Sequence, residues 1–187
     1  MGKKNDNGVI TLEACISVLS FLILMLLLLS LFVMFMAQNV TSHVVLQTSQ
    51  SLSLDVYSID KLSVSSGSIE TVGDYLGEFV ANLFGSSDNN PSFVTDDKWY
   101  EGDEAAIATA VKTRFVGYLI GGDETEADEF LKRMNIVDGL NGLDFSGSHV
   151  DNDTLYIVLK YDLKYDFNIW NVGTVKVEQT TCSKLWK

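Results

Sequence analysis

The 187-residue chain has one proline, Pro91, and two cysteines, Cys15 and Cys182. Two isolated cysteines near opposite ends make neither a disulfide framework nor a metal site. Cys182 reads as a free, interior small hydrophobe, the common state of unpaired cysteine, with an intermolecular bond outside the cell as the alternative. Histidine is equally scarce: His43 falls on a polar segment that follows a long apolar run, and His149 at a strand end. Neither belongs to an H-E-x-x-H pattern, and no G-x-S-x-G or phosphate-cradling glycine loop occurs. The serine-rich stretches have hydroxyls but no recognisable base. No enzymatic activity, cofactor or metal is therefore expected. Positive charge is also short, with 13 Lys and Arg against 25 Asp and Glu. Lys3, Lys4, Asp6 and Glu13 cancel, so the whole net charge of −12 belongs to the remainder of the chain. Such a surface is soluble and unsuited to nucleic acid.

One deficit is local. Between Glu13 and Asp55 no Asp, Glu, Lys or Arg appears, and Ala14–Leu62 contains neither glycine nor proline. Ala14–Ala37 is apolar apart from Ser17, Ser20 and Ser30. About 20 apolar residues at ~1.5 Å each cross the hydrocarbon of a bilayer, so this run is long enough to span with tilt. It exceeds the ~7–15-residue centre of a cleaved secretory signal, and no small-x-small site follows it. Lys3 and Lys4 precede it, and the next lysine is Lys61. The positive-inside bias then puts the N-terminus in the cytoplasm and everything past Ala37 outside, in a single-pass cell-membrane protein.

Beyond Ala37 polarity rises without a helix breaker. Val45, Leu52, Val56 and Ile59 recur at steps of seven, four and three, one face of a helix, with Gln38, Gln47, Gln50 and Asp55 mostly elsewhere. One helix of some fifty residues is expected, membranous in its first part and an amphipathic stalk over residues 38–66. Ser65-Ser66-Gly67-Ser68 punctuates it. A helix is predicted from Ile69 to Leu83, capped by Ser68, then a loop Gly85–Ser92. Another helix is predicted from Asp103 to Ile120 with Ile107, Val111, Phe115 and Tyr118 inward and Gly121-Gly122 as its stop. A shorter one follows from Thr125 to Met134.

The period then changes to two. In Asp153–Tyr165, Leu155, Ile157, Leu159, Tyr161 and Leu163 alternate with Tyr156, Val158, Lys160, Asp162 and Lys164, a half-buried strand. Leu143–Val150 and Gly173–Thr181 read as its partners, joined through a turn at Asp151-Asn152 and through Asn171-Val172-Gly173. The expected fold class is α+β: a long N-terminal helix and stalk, a small helical region, and a C-terminal antiparallel meander within an extracytoplasmic domain of residues 67–187.

The acid at the mouth of the span has its own logic. If the chain is cut after Gly8, Val9 becomes the first residue and Glu13 the fifth. A basic leader of residues 1–8, a glycine, Glu at the fifth place and a charge-free run over the rest of 9–37 resemble the processing site of type IV pilins and pseudopilins. The stalk HVVLQTSQSLSLDVYSIDKL and the tail SGSHVDNDTLYIVLKYDLKYDF with VKVEQTTCSKLW resemble TadE-like pseudopilins of tight-adherence pili, especially the Gram-positive kind. The proline many of them carry inside the span is missing, so no kink is expected from one here.

The resemblance implies a minor structural subunit. Gly8 and Val9 would be the processing site, for a prepilin peptidase, and Glu13 would set register by meeting the N-terminal amine of a neighbouring subunit. The other implied partners are the pilus assembly platform, other pilins and the membrane. Physically, the Val9 ammonium and Glu13 carboxylate would lie roughly 6 Å apart along the axis. An unpaired acid at membrane depth costs on the order of 2.5–3.5 kcal/mol, and pairing would remove that penalty while giving register; the alternative is that Glu13 merely sits at the cytoplasmic headgroup level.

Other readings stay open. One is an uncleaved anchor carrying an adhesive or sensory domain; another is a pseudopilin of a secretion or DNA-uptake machine. Acidic stretches at Asp96–Glu104, Gly121–Glu129 and Val150–Thr154 offer oxygen ligands, but none has the spacing of a twelve-residue calcium loop. Asp128 and Glu129 are expected to face water, and Trp99, Tyr100, Trp170 and Trp186 to be core before they are a binding surface.

Overall fold

The computed structural model describes residues 7–66, 99–121, 123–165 and 173–186, with side chains in the first segment from residue 11 to 57. The predicted helix Ile69–Leu83, the loop Gly85–Ser92, Ile59 as a side chain, and Trp170 lie outside the described residues.

A single helix, α1 (Asn7–Ser66), runs unbroken for 60 residues, longer than expected and with no proline or glycine to interrupt it past Gly8. Ser17 and Ser20 keep their hydroxyls satisfied within it, donating to the carbonyls of Glu13 and Ile16 at 2.9 and 2.8 Å. Such back-bonding lets a polar side chain sit in an apolar helix without an orphaned donor.

α2 (Glu104–Ile120) starts where Asp103 accepts a hydrogen bond from the amide of Ala106, and it ends at Gly121, whose φ of 72° is the left-handed value that glycine adopts freely. Ile107, Val111 and Phe115 are buried as expected, with Tyr118 half-buried. α3 (Glu124–Arg133) begins one residue before the predicted start because Asp123 caps the amides of Thr125 and Glu126. Asp128 does not simply face water: it pairs with Lys132 at 2.6 Å and accepts from the Leu140 amide at 2.9 Å. Those two bonds, the Lys132 bond first, hold its carboxyl below the usual carboxylate range. Glu129 is solvent-exposed.

The sheet has the order β1-β2-β3, antiparallel throughout, formed by β1 (His149–Asp151), β2 (Thr154–Lys164) and β3 (Thr174–Lys184). β2 alternates as predicted, with Leu155, Ile157, Leu159, Tyr161 and Leu163 all buried. The partner expected over Leu143–Val150 shrinks to β1. Ser146 turns back onto the Asp144 side chain, Ser148 donates to the Phe145 carbonyl, and the Ser148 hydroxyl takes the Val158 amide that a strand would have paired. The β1–β2 turn is carried by Asn152 and Asp153, both at positive φ, one residue later than predicted. That backbone suits a tight hairpin and the Asn/Asp residue types. β3 runs three residues past the predicted Thr181. Its even-numbered residues face solvent, which places Cys182 outside and corrects the expectation of an interior thiol. Trp99 is buried and meets Tyr100 edge-on at 5.9 Å, whereas Trp186 is exposed.

The core lies where α2 and one face of β2 and β3 meet the C-terminal half of α1. Within it Arg114 of α2 forms an ion pair with Asp55 of α1 and donates to the Ser51 hydroxyl at 3.0 Å. Burial raises the Asp55 carboxyl above its ordinary value, and the guanidinium offsets only part of this. Removing the cation leaves a buried acid alone. Arg114→Leu is expected to lose about 3–5 kcal/mol of stability near neutral pH. Since a raised acid binds its proton more tightly when folded, much of that loss should return as pH falls and Asp55 protonates. Urea unfolding in detergent, followed by Trp99 emission at neutral and acidic pH, checks both parts.

Candidate functional site

The two halves of α1 differ in what covers them. From Leu12 to Met36 the large apolar side chains are mostly exposed: Leu19 and Leu29 at 60%, Phe32 at 66% and Phe35 at 60%. Farther on, Ala37, Thr41, Val44, Val45, Thr48, Ser49, Leu52, Ser53 and Val56 are buried. These residues fall three or four apart on one stripe. Of the face predicted for the stalk, Val45, Leu52 and Val56 are on it. Sequence reasoning missed its small polar members, Thr41, Thr48, Ser49 and Ser53. Their helical spacing was the available signal, masked because hydroxyl residues do not register as apolar.

Small side chains let a sheet approach a helix closely, and their hydroxyls fasten it. Thr41 Oγ1 lies 2.8 Å from the Tyr161 hydroxyl, and Gln179 Nε2 donates to Thr41, to Tyr161 and to the Gln38 carbonyl at 3.1–3.2 Å. Higher up, the Ser49 and Ser183 hydroxyls are 2.7 Å apart. Burial raises the Tyr161 phenol, so it stays a neutral hydrogen-bonding group. The C-terminal domain is therefore fixed along α1 and leaves the opposite stripe, including His43, Leu46, Gln50, Leu54 and Tyr57, facing outward.

Among the sequence-predicted site residues, Gly8 and Val9 lie in the first turns of α1. Glu13 follows one turn later, exposed. They share one end of the molecule, far from the domain core. The first amides of a helix have no intrahelical acceptor, and glycine is a poor helix former.

The histidines stay apart. His43 is on α1, and His149 stacks on Tyr156, its cross-strand partner, at 5.1 Å. Among the described residues no group of His, Cys, Asp and Glu is arranged to hold a metal ion. On the outer side of the sheet an open groove of about 460 Å³ is lined by Asp138, Asp144, Lys160, Asp162, Lys176 and Glu178 among others.

No family model, curated protein or solved structure matches the chain. What is plain from the fold is that α1 is, among the described residues, the one helix long and apolar enough to cross a membrane.

If the polar fastening holds the sheet to α1, loosening it should register locally. Tyr161→Phe is expected to cost about 1 kcal/mol, the net worth of one intramolecular hydrogen bond. Amide hydrogen exchange should quicken at Gln179 and its neighbours in β3 while α2 keeps its protection.

Proposed function

We propose that this chain is a minor subunit of a tight-adherence pilus, a TadE-like pseudopilin. It is held in the membrane by residues 9–37 and cleaved after Gly8. It then joins other pilins through α1. The single observation that carries the reading is a continuous helix whose apolar N-terminal part is uncovered on most of its surface. That part bears one acid, Glu13, a turn beyond the proposed new N-terminus. A membrane anchor needs the apolar surface and only tolerates the acid at the headgroup level. An assembly helix uses both, first against lipid and then against neighbouring helices.

Trimming at Gly8 removes Lys3 and Lys4 and creates an ammonium on Val9. This amine and Glu13 are four residues apart, on one helix face. Between staggered neighbours the same two groups neutralise each other, and the match fixes the axial register. α1 then conveys that register to the outer domain, because the sheet and α2 are hydrogen-bonded and ion-paired to it rather than hung on a flexible linker. The work requires no active site. The expected partners are a prepilin peptidase, the assembly platform and other pilins.

The open groove beside Lys160 and Asp162 favours a second reading, a binding domain on a permanent anchor. Intact-mass measurement of the membrane-extracted native chain separates the two. Loss of residues 1–8 is the expected result, and a retained leader supports the permanent anchor. Among cleaved chains, Glu13→Ala should leave processing intact and sharply lower incorporation into fibres. Normal incorporation of that variant would contradict the register role.

A further inference from the structure

The outward stripe of α1 is more regular than exposure alone requires. His43, Gln50 and Tyr57 stand seven residues apart, and so do Asn39 and Leu46. Steps of four and three therefore alternate from Asn39 to Gln50, the a and d positions of a heptad seam. All five residues are exposed, Leu46 at 47% and Tyr57 at 46%. The next d position, Ser53, turns into the domain and exposed Leu54 takes its place, a drift expected of a straight helix with 3.6 residues per turn. Counted toward the N-terminus, the same frame falls on Met36, Phe32, Leu29, Met25 and Leu22, all exposed. The seam thus continues unbroken from the stalk into the apolar run.

The domain occupies the other side of the helix. Thr41, Val44, Val45, Thr48 and Leu52, all buried, hold b, c and f positions, those that face away from the partner in a two-stranded coil. Charge then selects what can meet the seam. The chain carries −12, so a second copy is repelled over most of the domain surface, but α1 has no Asp, Glu, Lys or Arg between Glu13 and Asp55. The polar seam residues are self-complementary. The amides of Asn39 and Gln50 and a neutral His43 imidazole each have a donor and an acceptor, so each can bond its own counterpart. A strongly charged partner finds no counter-ion there. Two copies that cross one bilayer from the same side also run in the same direction, which brings like residues to the same height.

We propose that, while the chain resides in the membrane, α1 pairs through this seam with α1 of a second copy, parallel and in register. The proposal rests on the membrane-spanning reading of α1 and needs neither cleavage nor fibres. Leu46, Leu54 and Tyr57 supply apolar contact, and Asn39, His43 and Gln50 set the register, as single polar residues do in parallel coils at a cost in stability. Each domain stays on the outer side of its own helix, so the two acidic surfaces are held apart. The pair is distinct from the staggered contact between Val9 and Glu13. Its polar seam makes it weaker than an all-apolar one, and a weak pair can be exchanged for the staggered contact during assembly.

The test uses the full chain with Cys15→Ser and Cys182→Ser, in phosphatidylcholine vesicles. Single cysteines are placed on the seam through Asn39→Cys or Leu46→Cys, and on the exposed sheet face through Thr180→Cys. Oxidation with copper phenanthroline should link each seam variant to itself as a dimer and leave Thr180→Cys monomeric. Residues 39 and 46 are about 10 Å apart along the axis, too far for a disulfide between in-register copies. Mixing the two seam variants should therefore give the two homodimers and little mixed product. Adding His43→Glu, which sets like charges face to face at an exposed position, should remove most of the Leu46→Cys dimer. Equal linking at Thr180→Cys would mean random collision, and abundant mixed product would mean a staggered contact. Either result overturns the pair, as does a dimer yield unchanged by His43→Glu. A chain that resists alkaline carbonate yet does not link at the seam overturns the pair and leaves the span standing. A chain stripped from the vesicles by carbonate overturns the span, and the parallel pair with it.

Discussion

The molecule depends on how one stripe of α1 is covered. Alanine, threonine, serine and branched aliphatic side chains at steps of three and four let β2 and β3 lie against the helix. Thr41, Tyr161 and Gln179 bond the two together near the middle of the helix, and Ser49 with Ser183 repeats the device higher up. A stripe of large aliphatic residues would hold the sheet farther off and leave those bonds unmade. Because each helix–sheet bond spans more than a hundred residues of sequence, together they define the direction of the sheet relative to the helix. The Arg114–Asp55 pair does the same for α2, with a desolvated charge on each side.

Covering one stripe leaves the others free, and this asymmetry separates α1 from a buried core helix. A helix that is apolar all round and only partly covered needs another apolar environment, lipid or other helices. α1 has no proline or glycine between its exposed apolar part and its bonded part. A displacement at the Glu13 end is therefore transmitted to the domain. A kinked or hinged helix would decouple the N-terminal part of α1 from the domain packed on its C-terminal half.

The sequence was most informative where one period dominated. α2 and β2 were legible because Ile107, Val111 and Phe115, and then Leu155 through Leu163, keep strict helical and strand spacing. Asp103 and Gly121 ended the helix as their types suggest. The strand expected at Leu143–Val150 was not, because the Asp144 and Ser148 side chains compete for backbone groups that a ladder would use. The depth of Cys182 was hidden too: on an alternating strand, one shift of register sends every side chain to the opposite face. The contact face of α1 was half legible. Its aliphatic members stood out and its hydroxyl members did not, since threonine and serine join a packed face only when a partner such as Tyr161 or Ser183 meets them.

Glu13 brings the physics back to one place. An exposed acid at the start of an apolar helix is unfavourable in lipid unless it stays at the headgroup level or finds a partner. On the proposed reading, a neighbouring N-terminal amine would be that partner. Nuclear magnetic resonance on assembled fibres measures this most directly, with subunits carrying ¹⁵N at the Val9 amine mixed with subunits carrying ¹³C at the Glu13 carboxyl. Dipolar coupling between the two labels, arising only between different subunits, is the expected result. Fibres without that coupling, or in which the chain still begins at Met1, would contradict it.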